Sequence, residues 1–416
     1  MQPSLAFLLS CLALALTSCG SDGNSHRPGW RRRASGPIMR YLSGGEGVGG
    51  GGGASRARRK GETPEQQLSD LLLIWGSAVR EQQNSILAKI RGDLPRFREP
   101  LLHFIRIEGV TLVAAVEVAG RLGIAEAAPY LYGLLNDASP AVRAATIRAM
   151  DRLDSWSAEQ LAGFLDDPAP QPVVEALAIC GEREQPPLLA ILDRLADPRP
   201  EVQEAAVDAL PEELPTEEAR KKLLSLASDP TSRGALMAIR AMGVVEEFPG
   251  MEPCLLGALR SKNWNLRFAA LESLSRLSHP LESTDEVRRL IMGPRVSVEE
   301  KVAAFLALER TGSVDRTWVA QMAKNLHPVI KLHAARCLVS VGDASGSELL
   351  IELLSAEESQ DADDEDVDYA RIASQKILAE ILGEDLGKDP VAWQESMSRL
   401  RKLEPVQIRF DPWKTW

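Results

Sequence analysis

Four stretches decide the fold: SPAVRAATIRAM (residues 139–150), RPEVQEAAVDAL (199–210), NWNLRFAALESL (263–274) and HPVIKLHAARCL (327–338). Each sets an apolar residue ahead of small residues, with a further apolar residue about one helical turn later, so that all share one face of a helix. The closing positions are Met150, Cys180, Leu210, Met242, Leu274, Leu308 and Leu338, separated by 30, 30, 32, 32, 34 and 30 residues. Between these anchors lies a second apolar segment, such as AAPYLYGLLND (127–137) and PPLLAILDRLAD (186–197). A near-constant interval of this length marks a repeat, here two short helices and two turns in about 31 residues.

The starts of the units recur as well. Asp167-Pro168, Asp197-Pro198 and Asp229-Pro230 predict an aspartate cap followed by proline in the first turn, and Ser139-Pro140 offers the same chemistry. The small residues Ala144, Ala145, Ala205, Ala206, Ala269, Ala270, Ala303, Ala304, Ala334 and Ala335 are read as packing positions between neighbouring helices.

These residues resemble the HEAT family, in its short phycobilin-lyase-type variety with a D-P-x-x-x-V-R-x-x-A signature. Asp137, Val142, Arg143 and Ala145 carry the resemblance best, and Leu266 and Arg267 with Ala269 and Ala270 come next; Ile330 and Lys331 hold the same pair of positions. The resemblance spans about residues 95–385. It implies an all-α protein, a right-handed α-solenoid of stacked helical hairpins of the armadillo type, whose concave face is the usual binding surface. In that family the aspartate and arginine often form ladders between units. Here Arg143, Arg267 and Lys331 keep the cation, whereas Glu175 and Gln203 do not, so a continuous ladder is not expected.

Composition agrees with this reading. The chain has 416 residues, 44% hydrophobic but only 5% aromatic, which favours helices over a β-sandwich. No apolar run reaches the roughly 20 residues of a spanning helix. The net charge of −11 is unevenly placed: residues 20–60 carry +7, leaving −18 for the rest. An acidic body repels phosphate, so no nucleic-acid partner is expected.

Residues 5–18, LAFLLSCLALALTS, have the length of a signal-peptide core and end in Leu16-Thr17-Ser18-Cys19-Gly20. That run resembles the lipobox of bacterial lipoproteins, which makes Cys19 the acylated residue and places the protein at the cell envelope, lipid-anchored at the outer face of a bacterial membrane, or else secreted. Unlike that family, Met1 to Ser4 hold no Lys or Arg. The expected organisation is a signal peptide (1–18), a basic, glycine-rich, disordered tether (19–61), the solenoid (62–403, with an acidic insertion at 356–368) and a C-terminal tail or cap (404–416). The glycines at 45, 47 and 50 match G-x-G-x-x-G only formally, since no strand precedes them and no helix follows.

No catalytic constellation stands out. HExxH, CxxC, GxSxG and EF-hand patterns are absent from the sequence. His333 and Cys337 are four apart, a metal-pair spacing, but they coincide with packing positions and are read as seam residues. Residues 357–368 hold eight acids in twelve and lack the calcium-loop glycine. Asp389-Pro390 with Trp393 reads as a closing helix. The expectation is a non-enzymatic scaffold with no cofactor, binding a protein of unknown identity. The alternatives are a self-associating envelope protein or a lyase-like HEAT enzyme.

Overall fold

In a computed structural model, residues 62–323, 327–355 and 365–399 are described. The expectations for residues 1–61, including Cys19, for 356–364 of the acidic insertion and for 404–416 lie outside them. Among the described residues every regular element is helical: 21 α-helices and one short 3₁₀ turn. They fall into two compact units that part at Pro211–Glu212.

The N-terminal unit contains α1 (Pro64–Trp75), α2 (Arg80–Gly92), α3 (Leu94–Arg106), α4 (Leu112–Leu122), α5 (Ala128–Leu134), α6 (Pro140–Leu153), α7 (Ala158–Phe164), α8 (Pro170–Gly181), α9 (Leu188–Arg194) and α10 (Pro200–Asp208). The C-terminal unit contains α11 (Glu217–Ser228), α12 (Ala235–Met242), α13 (Met251–Ala258), α14 (Trp264–Leu274), α15 (Asp285–Met292), α16 (Val298–Arg310), α17 (Arg316–Met322), α18 (Pro328–Ser340), α19 (Ala344–Leu354), α20 (Glu365–Leu382) and α21 (Pro390–Arg399). Each unit is an α-solenoid segment of stacked hairpins. Second helices pack side by side, α4–α6–α8–α10 in one unit and α12–α14–α16–α18–α20 in the other, and each also packs on the first helix of its own hairpin.

The two helix classes differ in burial. In α18, Val329, Ile330 and every residue from Leu332 to Val339 are buried, as befits a helix enclosed on most sides. In α7 and α17 one side chain each is buried, Leu161 and Val319. Helices of seven residues do not form alone, so these first helices depend on the second helices beneath them. All seven anchors are buried, and so are nine of the ten expected packing alanines; Ala205 is half-buried.

The seam is tightest where the side chain vanishes. A Cβ on Gly120 of α4 would sit 2.5 Å from the Cα of Ala149 on α6, so only glycine permits this approach. Three residues on, Gly123 closes α4 in the left-handed region, with φ of 70°, and its N–H returns to the last turn.

The helix starts correct the sequence reading. Pro140, Pro170 and Pro200 open α6, α8 and α10, whereas Pro168 and Pro198 lie ahead of the helices. Ser139 does stand at the N-cap position before Pro140, though its side chain makes no cap bond, whereas Asp137, Asp167, Asp197 and Asp229 are not caps. Each carboxylate accepts the backbone N–H two residues on, from Ser139, Ala169, Arg199 and Thr231, at 2.8–2.9 Å. These are Asx turns, which set the corner before the helix begins. Thr63 does cap α1 as expected, accepting the Gln66 N–H while Gln66 Oε1 accepts its own at 3.0 Å. The acidic insertion also ends earlier than expected. Glu365, Asp366 and Asp368 form the first turn of α20, where the helix dipole favours negative charge.

At the far end α21 closes the C-terminal unit. Trp393 is fully buried among α18, α19 and α20 residues, and its indole N–H donates to the Gly387 carbonyl at 2.7 Å. Asp389 accepts the Val391 N–H at 3.0 Å, again as an Asx turn.

The contact at Gly120 yields a stability test. Gly120→Ala lowers the unfolding free energy by about 1–3 kcal/mol through overpacking. Gly133→Ala, in α5 with nothing within 4 Å of the new Cβ, leaves it unchanged or raises it by less than about 1 kcal/mol. Urea unfolding of the two variants measures both.

Candidate interaction surface

The charged positions of the signature form a ladder in the N-terminal unit. Arg143 on α6 donates Nε and Nη2 to the two carboxylate oxygens of Asp167, at 2.8 and 2.7 Å, and Nη1 to the Asp137 carbonyl at 2.7 Å. Burial works against the Asp167 charge, but the Arg143 bonds and the Ala169 N–H hold its carboxyl below the ordinary range. Gln203, the position without a cation, donates to the Asp197 carbonyl at 2.9 Å, the same reach-back six residues along the chain.

The ladder does not break there, contrary to the sequence reading. Arg199, one residue before α10, binds both Asp197 oxygens at 2.7 and 2.8 Å. Its Nη1 also donates to the Asp167 carbonyl of the preceding hairpin at 3.1 Å. Asp137, Arg143, Asp167, Arg199, Asp197 and Gln203 thus form one continuous chain of bonds. In the C-terminal unit Arg267 holds both Glu300 oxygens at 2.6 and 3.0 Å and reaches back to the Ser261 carbonyl at 2.9 Å. Lys331 pairs with Glu352 at 2.9 Å. Asp229 binds only its own turn, through the Thr231 N–H and hydroxyl. Val142, Ala145, Leu266 and Ile330 are buried packing residues.

A second polar line runs along the second helices of the N-terminal unit, and sequence reasoning did not pick it out. The Trp75 indole N–H donates to Glu117 at 2.5 Å, and Arg121 stacks over that ring at 5.2 Å while bonding Gln83 at 3.1 Å. Arg148 pairs with buried Glu175, and Arg183 with Asp151. Burial pushes the Glu175 carboxyl up despite Arg148. Arg121, Arg152 and Arg183 are spaced by 31 residues, one per hairpin. Arg152 has its proton affinity lowered by burial and by the cations Arg148 and Arg121. The 31-residue spacing was the available signal, hidden by the loops between.

The candidate metal pair stays a pair of seam residues. His333 is 2% exposed, and burial together with Arg336 keeps its imidazole neutral well below the ordinary range. The Cys337 thiol donates to the Phe305 carbonyl at 3.2 Å, and burial holds it protonated. Cys180, Cys254 and Cys337 are all free, and burial pushes Cys180 up to about 12. No group of three or more His, Cys, Asp or Glu able to hold a metal occurs among the described residues.

One loop cluster holds a histidine whose proton affinity is raised above the ordinary range. His279 Nδ1 lies 2.7 Å from the Pro280 carbonyl and Nε2 lies 2.5 Å from Glu247, with the buried Glu252 carboxylate 3.9 Å away. Two acceptors on one ring need two N–H donors, so the imidazolium is favoured, first by the Pro280 carbonyl and then by Glu247.

The HEAT repeat family model matches residues 252–279, which cover the α13–α14 hairpin. A solved structure of an engineered protein from the Northeast Structural Genomics Consortium aligns at 17% identity with a TM-score of 0.37, over 80% of this chain and 98% of that one. No curated protein matches this sequence.

The His279 cluster sets a pH dependence. Its folded-state affinity for the proton is raised, so its contribution to stability is complete below about pH 6.5 and is lost as pH rises through the folded-state value. Between about pH 6 and pH 8.5 the melting temperature of the natural protein therefore falls more steeply than that of His279→Gln. Equal slopes in differential scanning fluorimetry would remove this assignment.

Proposed function

We propose that the chain is a non-catalytic protein-binding scaffold, tethered to the cell envelope through a lipid on Cys19, and that the second helices within each unit receive the partner. The observation that carries this reading is the repeated charged line on those helices, one set per hairpin, over a seam of small residues. Such a surface offers many similar contacts to an extended partner, which is how stacked repeats bind. HEAT repeats generally serve as protein-interaction scaffolds, and the α13–α14 hairpin is similar to one. The nucleophile and imidazole that could suggest chemistry, Cys337 and His333, are both locked in the seam, one protonated and one neutral. The apolar run at 5–18 and its lipobox-like end at Leu16-Thr17-Ser18-Cys19-Gly20 support an exported, anchored protein.

A photo-crosslinking experiment in membrane-fractionated cells tests both parts of the reading. A crosslinkable residue placed at Arg152, near the end of α6, or at Arg276, just after α14, captures a limited set of exported proteins. The same residue at Glu159 or Lys221 on first helices captures few or none. Cys19→Ala removes acyl mass from the intact protein and abolishes the captures. Equal crosslinking from both helix rows would contradict the scaffold surface, and an unlipidated full-length chain in the soluble fraction would contradict the anchor.

A further inference from the structure

In the C-terminal unit the second helices carry a set of arginines that the ladder does not use. Arg240 belongs to α12, Arg276 follows α14 by two residues, and Arg310 ends α16. None of the three has a carboxylate within 4.0 Å among the described residues. Each meets a neutral acceptor instead: Arg240 Nη1 meets the Met237 sulfur at 3.8 Å, Arg276 Nη1 the Gly243 carbonyl at 2.7 Å, and Arg310 Nη1 the Ser275 hydroxyl at 3.5 Å. The last two bonds each reach from one hairpin to the one before it, so the guanidiniums stack at the same end of consecutive helices.

Glu272 on α14 locates the cluster. Its carboxyl is pushed up by partial burial and drawn down by Arg276, then by Arg240 and Arg310. On the next helix, Arg336 is 5% exposed and bonds Glu309 through Nη2 at 3.1 Å, while its Nε and Nη1 have no hydrogen-bond partner. The set thus holds four guanidiniums against two carboxylates, inside a chain of net charge −11. The negative end of each helix dipole favours a cation here, and one N–H contact is enough for that. A guanidinium has five donors in a planar fork suited to a carboxylate, and the three exposed forks remain open.

We propose that Arg240, Arg276 and Arg310 form a docking site for an acidic, extended peptide segment of the protein partner. Charge complementarity argues for this occupant, and the spacing sets its pattern. Neighbouring second helices lie about 8–10 Å apart, and an extended chain advances about 3.3 Å per residue. One acidic side chain every third residue therefore meets one arginine per hairpin. A nucleic acid fits worse, because its evenly spaced phosphates would meet Glu272 and Glu309 as well.

The test uses the full chain and fluorescein-labelled (Glu-Ser-Gly)4, with (Gln-Ser-Gly)4 and a dT12 oligonucleotide as comparisons, read by anisotropy at low salt. The glutamate peptide binds at least ten-fold more tightly than either. The triple variant Arg240→Gln, Arg276→Gln, Arg310→Gln lowers its affinity at least ten-fold, while Arg98→Gln with Arg260→Gln, on paired surface arginines, leaves it unchanged. Glu272→Gln, which removes the competing carboxylate and threatens the fold least, raises it at least three-fold. Equal binding of the glutamine peptide, tighter binding of dT12, or an unaltered affinity in both the triple and the Glu272→Gln variants would overturn the site. The proposal rests on the scaffold reading, and the two fail separately. Crosslinks along the second helices with no peptide binding would leave the scaffold and remove this site. Peptide binding with no protein crosslinked would do the reverse.

Discussion

Close approach between consecutive second helices is the constraint on which the structure depends. Alanine and glycine at the facing positions bring the backbones together, and at Gly120 even a methyl group would collide with α6. The apolar anchors beside these small residues then fill the remaining space, and all seven are buried. First helices as short as seven residues follow from this arrangement. They are held by a helix already fixed in the row and need bury only one or two side chains of their own. Each hairpin touches its neighbours and little else, so stability within a unit is close to a sum over adjacent contacts.

Charged side chains refine a stack that the seam has already set. The Arg143–Asp167 pair joins two hairpins, and Arg199 carries the chain onward through a backbone carbonyl. Because each carboxylate also accepts an N–H from its own turn, one group fixes the corner and the register between repeats at once. The second line, from Arg121 to Arg183, and the arginines of the C-terminal unit have no comparable structural duty at every position. In the C-terminal unit Arg240, Arg276 and Arg310 meet only neutral acceptors, so their charge is not spent on holding the stack together.

The period and its anchors were legible because helix packing demands them from the side chains themselves, at positions that repeat with little variation. Helix starts were misplaced by two residues at Asp167 and Asp197 and by five at Asp229, the first two for a definite reason. Both prolines of stretches such as Asp167-Pro168-Ala169-Pro170 are compatible with a first turn, and only the fold shows that the aspartate prefers its own Asx turn. Bridging by Arg199 was invisible, since it depends on a loop conformation that brings its guanidinium to the preceding hairpin. The arginine cluster was equally hidden: its members are 36 and 34 residues apart, and loops of varying length separate them. His333 and Cys337 went the other way, since their register with packing positions already identified them as seam residues.

Native-state hydrogen exchange tests the central claim most directly. If the seam of second helices holds each unit together, amides in α6, α8, α14 and α16 exchange slowest and nearly together, while those in α7, α9 and α17 open at lower free energy. Protection in α7, α9 or α17 equal to or above that of the second helices beneath them would contradict the account.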